Sequence, residues 1–421
     1  MSNRYEEPDL KKILLIAFGL RMLGVFVYSM MVQYYYGYGD SFTYHDGGDF
    51  FHEQIKKDFS SIKYLFLPFQ ETRDWFESIS MDKGLSAYFG TPSNNMIMRI
   101  SGLLSFLSFN KFLIISLFFG FFSFLGQWKL FMVFDHINKH RNRKLLAFAV
   151  LYSPSIWFWG SGLLKDSICI GAIGFIIHIF YKIIVLHKFS FKDLFILAFL
   201  ILIVTFIKFY ITSILLVGFM VMLFLIFLKS IKNKIFRTFL LVVAIIITGV
   251  FLYASDFSAQ INDMAEESIS QIQLYQQNYQ ILQNSEENSK AGFVFELEPT
   301  LTSLITKSPT VVFTCLFRPF LWESRKIIIL FTSLESTMLF LTILFIMIKM
   351  GFINFFRTIL TRPFLLFCFT ITILFALIIG FTTFNFGTMI RYKIIFLPFL
   401  YFMLVNLYSN YLQKVTPLPV Q

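Results

Sequence analysis

The sequence predicts an all-α fold, a polytopic transmembrane helical bundle of about ten spans, and three observations predict it. Hydrophobic residues make up 57% of the 421, charged residues only 14%, and the mean hydropathy is +0.69. Soluble domains carry about 25% charged residues, so a water-facing surface cannot be built from so little charge and lipid must solvate most of the chain. Phe alone supplies 58 residues, and Phe is costly to expose to water and cheap in hydrocarbon. The apolar residues also fall in runs of roughly 20, the length that crosses a bilayer as a helix.

Ten segments meet or approach that length: Ile13–Gln33, Phe112–Phe134, Leu145–Gly160, Ser167–Leu186, Leu194–Ile207, Tyr210–Leu228, Arg237–Ala254, Ile327–Ile348, Phe364–Thr383 and Ile394–Leu412. The expected order along the chain is an N-terminus at 1–12, an N-terminal transmembrane region at 13–254 that includes a long loop at 34–95, and a second long loop at 255–326. A C-terminal transmembrane region at 327–412 and a tail at 413–421 complete it. Two apolar pieces do not fit as full spans. Met96–Phe109 is interrupted by Arg99, and Val311–Trp322 contains Arg318 and Pro319. Both read as re-entrant or interfacial segments, which are tolerated at that depth only against protein or a wet cavity.

Charge sets the expected orientation. Lys11 and Lys12, the run Lys139–Lys144, Lys188 with Lys192, the run Lys229–Arg237, Lys349, Arg357, Arg362 and Lys414 all fall on one side of these spans. The positive-inside rule makes that side cytoplasmic, with both termini inside a cytoplasmic (inner) membrane. The two long loops fall on the other face. Each has nine Asp or Glu against five Lys or Arg, a net of −4. The overall charge of +11 therefore reflects this topology, and no nucleic-acid partner is implied. Cys169, Cys315 and Cys368 are far apart in apolar surroundings, with no CxxC, so no disulfide framework or zinc site is evident.

Four places carry candidate chemistry. The first loop opens Gly37–Asp49, with Asp40, Asp46 and Asp49, His45 and four glycines in thirteen residues directly after a span. Such carboxylates act as a general base or bind a hard cation; otherwise Gly and Asp simply make turns in a solvated loop. The stretch Tyr152–Ser167 ends a short span in aromatics and a Gly-Ser-Gly turn, followed by Lys165 and Asp166. Lys165 reads as a phosphate ligand; the structural alternative is an aromatic belt with Ser161 as a cap and Asp166 favouring the helix start. In Phe317–Lys326, Arg318, Trp322, Glu323 and Arg325 offer phosphate binding and sugar stacking, or else an interfacial anchor with Arg318 and Glu323 paired. Arg391 and Tyr392 open the last span, either as a lipid-phosphate contact or as headgroup anchors. Arg21 and Glu335 lie inside spans, where ionisable residues face the interior or water and pair; the sequence does not say whether they pair with each other.

The end of the first span followed by Gly39-Asp40-Ser41-x-x-Tyr44 resembles the start of GT-C-type integral membrane glycosyltransferases. That resemblance implies a GT-C-like bundle, a polyprenyl-phosphate-linked sugar donor and a glycan, lipid or protein acceptor, in cell-envelope polysaccharide biosynthesis. It places Asp40 in the catalytic position, where a carboxylate deprotonates the acceptor hydroxyl or helps hold a divalent metal, with Asp46 and Asp49 as second choices. Tyr44, His45, Lys165, Asp166, Arg318, Trp322, Glu323, Arg325, Arg391 and Tyr392 are the expected substrate contacts. No cofactor beyond an optional divalent metal is implied. The chain departs from the family pattern in lacking a paired Asp-Asp or Glu-Asp in this loop and a second acidic motif later. An O-antigen polymerase or ligase-like protein is the alternative, in which the arginines matter more than Asp40. A lipid or solute transporter is the third reading.

Overall fold

A computed structural model of the chain describes residues 8–80, 82–232, 270, 272–274, 277, 301–324 and 327–415. The regular elements among them are all helices. They form two compact units, Met1–Ser213 and Ile214–Gln421. The expected span Arg237–Ala254, most of the expected loop 255–326 including Arg325, and the extreme termini lie outside the described residues.

The first unit opens with α1 (Pro8–Met30), which continues through a π-helical turn, Met31–Tyr36, into one 29-residue span. Gly37 and Gly39 end it at φ of 69° and 130°, conformations open to Gly without strain. α2 (Asp40–Lys57) begins at once. A 3-10 turn (Phe59–Leu65), α3 (Phe69–Ile79), α4 (Lys83–Phe89) and α5 (Pro92–Ser105) follow. The acidic segment 34–95 is thus mainly helical. Gly47 and Gly48 do not make turns: they lie inside α2, where side chains would collide with Met98 and Ser101 of α5. Gly102 packs in return against Phe51. Residue numbers rise together along this seam, from Tyr44–Asn94 to His52–Ser105, so α2 and α5 run parallel.

The expected span Leu145–Gly160 is two helices, α7 (Arg143–Leu151) and α8 (Pro154–Trp159). Pro154 has no N–H and bars helical backbone at Ser153, and Ser153 has ψ of 125°. α6 (Phe112–Ile137) packs against α7, and α1 against α8; α9 (Lys165–Ile184) packs on α6, and α10 (Phe191–Ile207) on α9 and α5. α10, at 17 residues, is roughly 26 Å long and falls short of the ~30 Å hydrocarbon core. α11 (Phe209–Ser230) follows after Lys208. α6 and α9 cross at glycines. A methyl group on Gly126 would overlap the Gly171 carbonyl, and one on Gly174 would overlap the Gly126 carbonyl. Small residues at a membrane crossing let backbones approach and gain dispersion contact.

Arg21, 1% exposed, donates from α1 to Ser123 Oγ at 3.1 Å and to Gln127 Oε1 on α6. Gln127 in turn donates to the Val150 carbonyl at 2.5 Å. A buried guanidinium must find such acceptors to offset lost hydration, and here they clamp α1, α6 and α7 together.

The second unit contains α12 (Leu301–Phe317), a 3-10 turn (Leu321–Glu323), α13 (Ile327–Met350), α14 (Phe352–Thr361), α15 (Pro363–Thr382), α16 (Phe386–Lys393) and α17 (Leu397–Val415). The expected last span is the second half of a bent pair, with α16 and α17 meeting at 59°. Glu335 on α13 accepts from Tyr401 OH of α17 at 2.8 Å. Arg21 and Glu335 therefore each have a polar partner within their own unit.

Six helices among the described residues are long and apolar enough to cross a membrane, or seven if the bent pair counts as one. The six coincide with the expected spans that begin near residues 13, 112, 167, 210, 327 and 364. The chain is a helical, multi-pass membrane protein. α5, with 14 residues, is too short to cross, as expected for Met96–Phe109. Its last turn and the turn that follows expose Leu103, Phe106, Leu107 and Phe109.

Candidate functional site

Asp40 is the first residue of α2, and its carboxylate accepts the Tyr88 hydroxyl of α4 at 2.9 Å. The Tyr88 ring meets Tyr44 edge-on at 6.1 Å, and Tyr44 OH donates to Asn94 Oδ1 at 3.1 Å. Lys165 Nζ lies 6.0 Å from the centroid of the same Tyr44 ring and donates to Ser93 Oγ at 2.7 Å. The structure thus joins Asp40, Tyr44 and Lys165, expected site residues up to 125 positions apart, in one continuous cluster.

Three helices start there. Asp40 opens α2, Ser93 and Asn94 lie in the first turn of α5, and Lys165 opens α9. Each start leaves backbone N–H groups without intrahelical acceptors and places a partial positive charge. Lys165 adds an ammonium to these helix starts, near the Asp40 carboxylate. Such a place can hold a phosphate and a base side by side.

Asp166 does more than favour a helix start. Lys208, at the α10–α11 turn, reaches it in a 2.5 Å ion pair with both side chains buried. This pair fixes the α9 start from behind Lys165. Ser161 does not cap α9. Its hydroxyl donates to the Arg21 and Trp157 carbonyls, and Leu164 occupies the cap position.

The other candidates in the first loop lie on a second focus, Asn110. Asp49 accepts from Asn110 Nδ2, and His45 Nε2 contacts the Asn110 carbonyl at 3.2 Å. Asp46 is largely exposed, 3.7 Å from His45 Nδ1. Asp49 and His45 therefore brace the turn before α6, where Phe109 and Asn110 have φ of 51° and 55°.

In the second unit, Arg318 grips Glu323 through Nε at 3.0 and 3.1 Å and again through Nη2. Glu323 also accepts the Phe320 N–H at 2.8 Å. This is the pairing that the anchoring alternative expects. Lys393, buried on α16, donates to the Arg318 carbonyl at 2.5 Å. Trp322 is 80% exposed and stacked on Phe320 at 4.8 Å. Arg391 lies 5.3 Å from the Tyr392 ring.

Tyr88, Ser93, Asn94 and Lys393 escape the sequence reading. One signal was present: Thr91-Pro92 marks a helix start, which locates Ser93 and Asn94 at a positive pole. Among the described residues no three His, Cys, Asp or Glu side chains converge to cage a metal. A divalent ion on Asp40 would take its other ligands from water or a substrate phosphate. The chain matches no protein-family model, no curated protein and no solved structure.

Proposed function

We propose that the chain is a GT-C-like membrane glycosyltransferase that moves a sugar from a polyprenyl-phosphate donor to an acceptor hydroxyl on the extracytoplasmic face. One observation carries this reading: Asp40 and Lys165 belong to one cluster where three helices begin. The donor phosphate would lie against Lys165 and the starts of α5 and α9. Asp40 would take the proton of the acceptor hydroxyl as its oxygen bonds to the anomeric carbon. The bond from that carbon to the phosphate oxygen then breaks, and Lys165 offsets the charge left on the polyprenyl phosphate. Asp40 returns its proton to solvent. The charge bias of the loops supports placing this face outside and both termini in the cytoplasm.

The test is transfer from a panel of polyprenyl-phosphate hexoses by membranes carrying the wild type or Asp40→Asn. The substitution is expected to lower transfer by about a hundredfold or more at unchanged expression. Full activity in Asp40→Asn removes the assignment. If Arg318→Gln and Arg391→Gln abolish activity while Asp40→Asn does not, the polymerase or ligase-like alternative takes its place.

A further inference from the structure

α14 has 10 residues, about 15 Å, and is too short to cross a bilayer. It joins two candidate spans. Gly351 alone, at φ of 76°, separates it from α13, and Arg362 alone, with ψ of 116° ahead of Pro363, separates it from α15. Both of its ends are therefore held at the level where α13 ends and α15 begins.

At about 3.6 residues per turn, its side chains fall into three stripes. Phe355 and Ile359 share one stripe, and both are buried. Phe352, Ile353, Phe356 and Leu360 adjoin it, and of these Phe352, Ile353 and Leu360 are exposed. Asn354, Arg357 and Thr361 form the remaining face, open to water. The protein covers only half of the apolar arc, and the other half needs a second apolar phase. Along the chain, exposed Phe345 and Ile348 of the α13 span lead straight into it. We propose that α14 lies in the plane of the membrane interface as an anchor for anionic lipid, with its open apolar stripe among acyl chains and Lys349 and Arg357 against the headgroups.

The charge here is uncompensated within the segment. Residues 336–421 contain no Asp or Glu. The last acid before them, Glu335, is 349 − 335 = 14 positions from Lys349 along α13. That is about 21 Å, beyond the screening length of about 10 Å at 0.1 M salt, and Glu335 already accepts from Tyr401. The acids that loop charge puts on the same side, Glu6, Glu7, Asp9, Asp135 and Asp193, all belong to the first unit. Arg362 turns to Asn406 Oδ1 at 3.3 Å and is not counted. Lys349 and Arg357 are both exposed. Arg357 stands one turn from Ile353 and from Leu360, so its stem can lie along the apolar stripe while the guanidinium reaches the phosphates. The loop charges make this the cytoplasmic side, whose leaflet carries the anionic lipids. The choice of leaflet depends on that orientation and is independent of sugar transfer.

The experiment places a fluorophore on Ile353→Cys or Thr361→Cys in the full-length protein, whose Cys169, Cys315 and Cys368 are buried. Each is reconstituted in phosphatidylcholine vesicles doped with a small fraction of nitroxide-bearing phosphatidylglycerol or phosphatidylcholine. Both quenchers should reach position 353 and leave position 361 bright. At 353, phosphatidylglycerol should quench at least threefold more strongly. Lys349→Gln/Arg357→Gln should bring that ratio close to one, and Arg357→Lys should preserve it. Equal quenching at 353 and 361 overturns the interfacial placement. No quenching at 353 means that protein covers the stripe, which also overturns it. A ratio of one in the wild-type background, or an unchanged ratio in the double variant, overturns the selection for anionic lipid.

Discussion

Lys208 and Asp166 meet at 2.5 Å with side chains only 8% and 2% exposed, so the charge at the start of α9 is neutralised from within the protein. Removing one partner of a buried pair leaves the other charged in low dielectric, at a cost of about 3–5 kcal/mol. Lys208→Met should therefore lower thermal stability in detergent markedly. The double variant Lys208→Met/Asp166→Leu should recover much of the loss, because no uncompensated charge remains. A double variant no more stable than the single one would mean the pair is not what holds this turn.

Tyr88 positions Asp40 through a 2.9 Å hydrogen bond. Tyr88→Phe should slow sugar transfer by about tenfold, the worth of one hydrogen bond to a charged group, with little change in KM for the donor. Lys165→Met should instead raise the donor KM. Asp46→Asn should match the wild type, since that carboxylate is exposed. Equal losses in all three would reduce the cluster to a structural patch.

Gly126 touches the Gly171 backbone with no room for a side chain. Gly126→Leu must push α6 from α9, which are buried against each other by many other residues. Overpacking of this kind costs about 1–3 kcal/mol or more. A fall in the fraction surviving size-exclusion after heating would register it. Gly19→Leu is the control, because nothing lies within 4 Å of that position.

His52 lies outside the spans, buried on α2 with Nδ1 2.8 Å from Ser105 Oγ. Burial, followed by the nearby charge of Lys56, pushes its pKa below the ordinary value. The unfolded chain therefore binds the proton first. Stability from the neutral ring is complete above about pH 6.5 and is lost as pH falls below that. Melting scans from pH 7.5 to 5.5 should show a steeper decline for the wild type than for His52→Gln. Parallel slopes would contradict this.

Composition made the membrane legible, because no folded surface can hide so little charge. The long spans were legible for the same reason: Phe112–Ile137 and Pro363–Thr382 are apolar over a full crossing. The break at Pro154 is invisible to hydropathy, which averages over a residue whose effect is on backbone geometry. Gly47 and Gly48 looked like turn residues because a glycine that serves a helix seam differs from one in a turn only by its neighbour, here Met98 and Ser101 of α5. Charge bias alone puts Asp40 and Lys165 on one face, with Arg318, Arg325 and Arg391. The connection of Asp40 to Lys165 runs through Tyr88, Tyr44 and Ser93, and that depends on tertiary folding that no local pattern encodes.

Only Gly37, Tyr38 and Gly39 separate the end of the first span from Asp40. Three residues reach about 10 Å even when fully extended. The carboxylate is thus tethered close to the end of the first span. Under the proposed transfer reaction, a soluble acceptor has to descend to the membrane surface, and the distal part of a long glycan is out of range unless its growing end is drawn down. On that proposal the short glycine link works as a depth gauge, setting which acceptor hydroxyls come within reach.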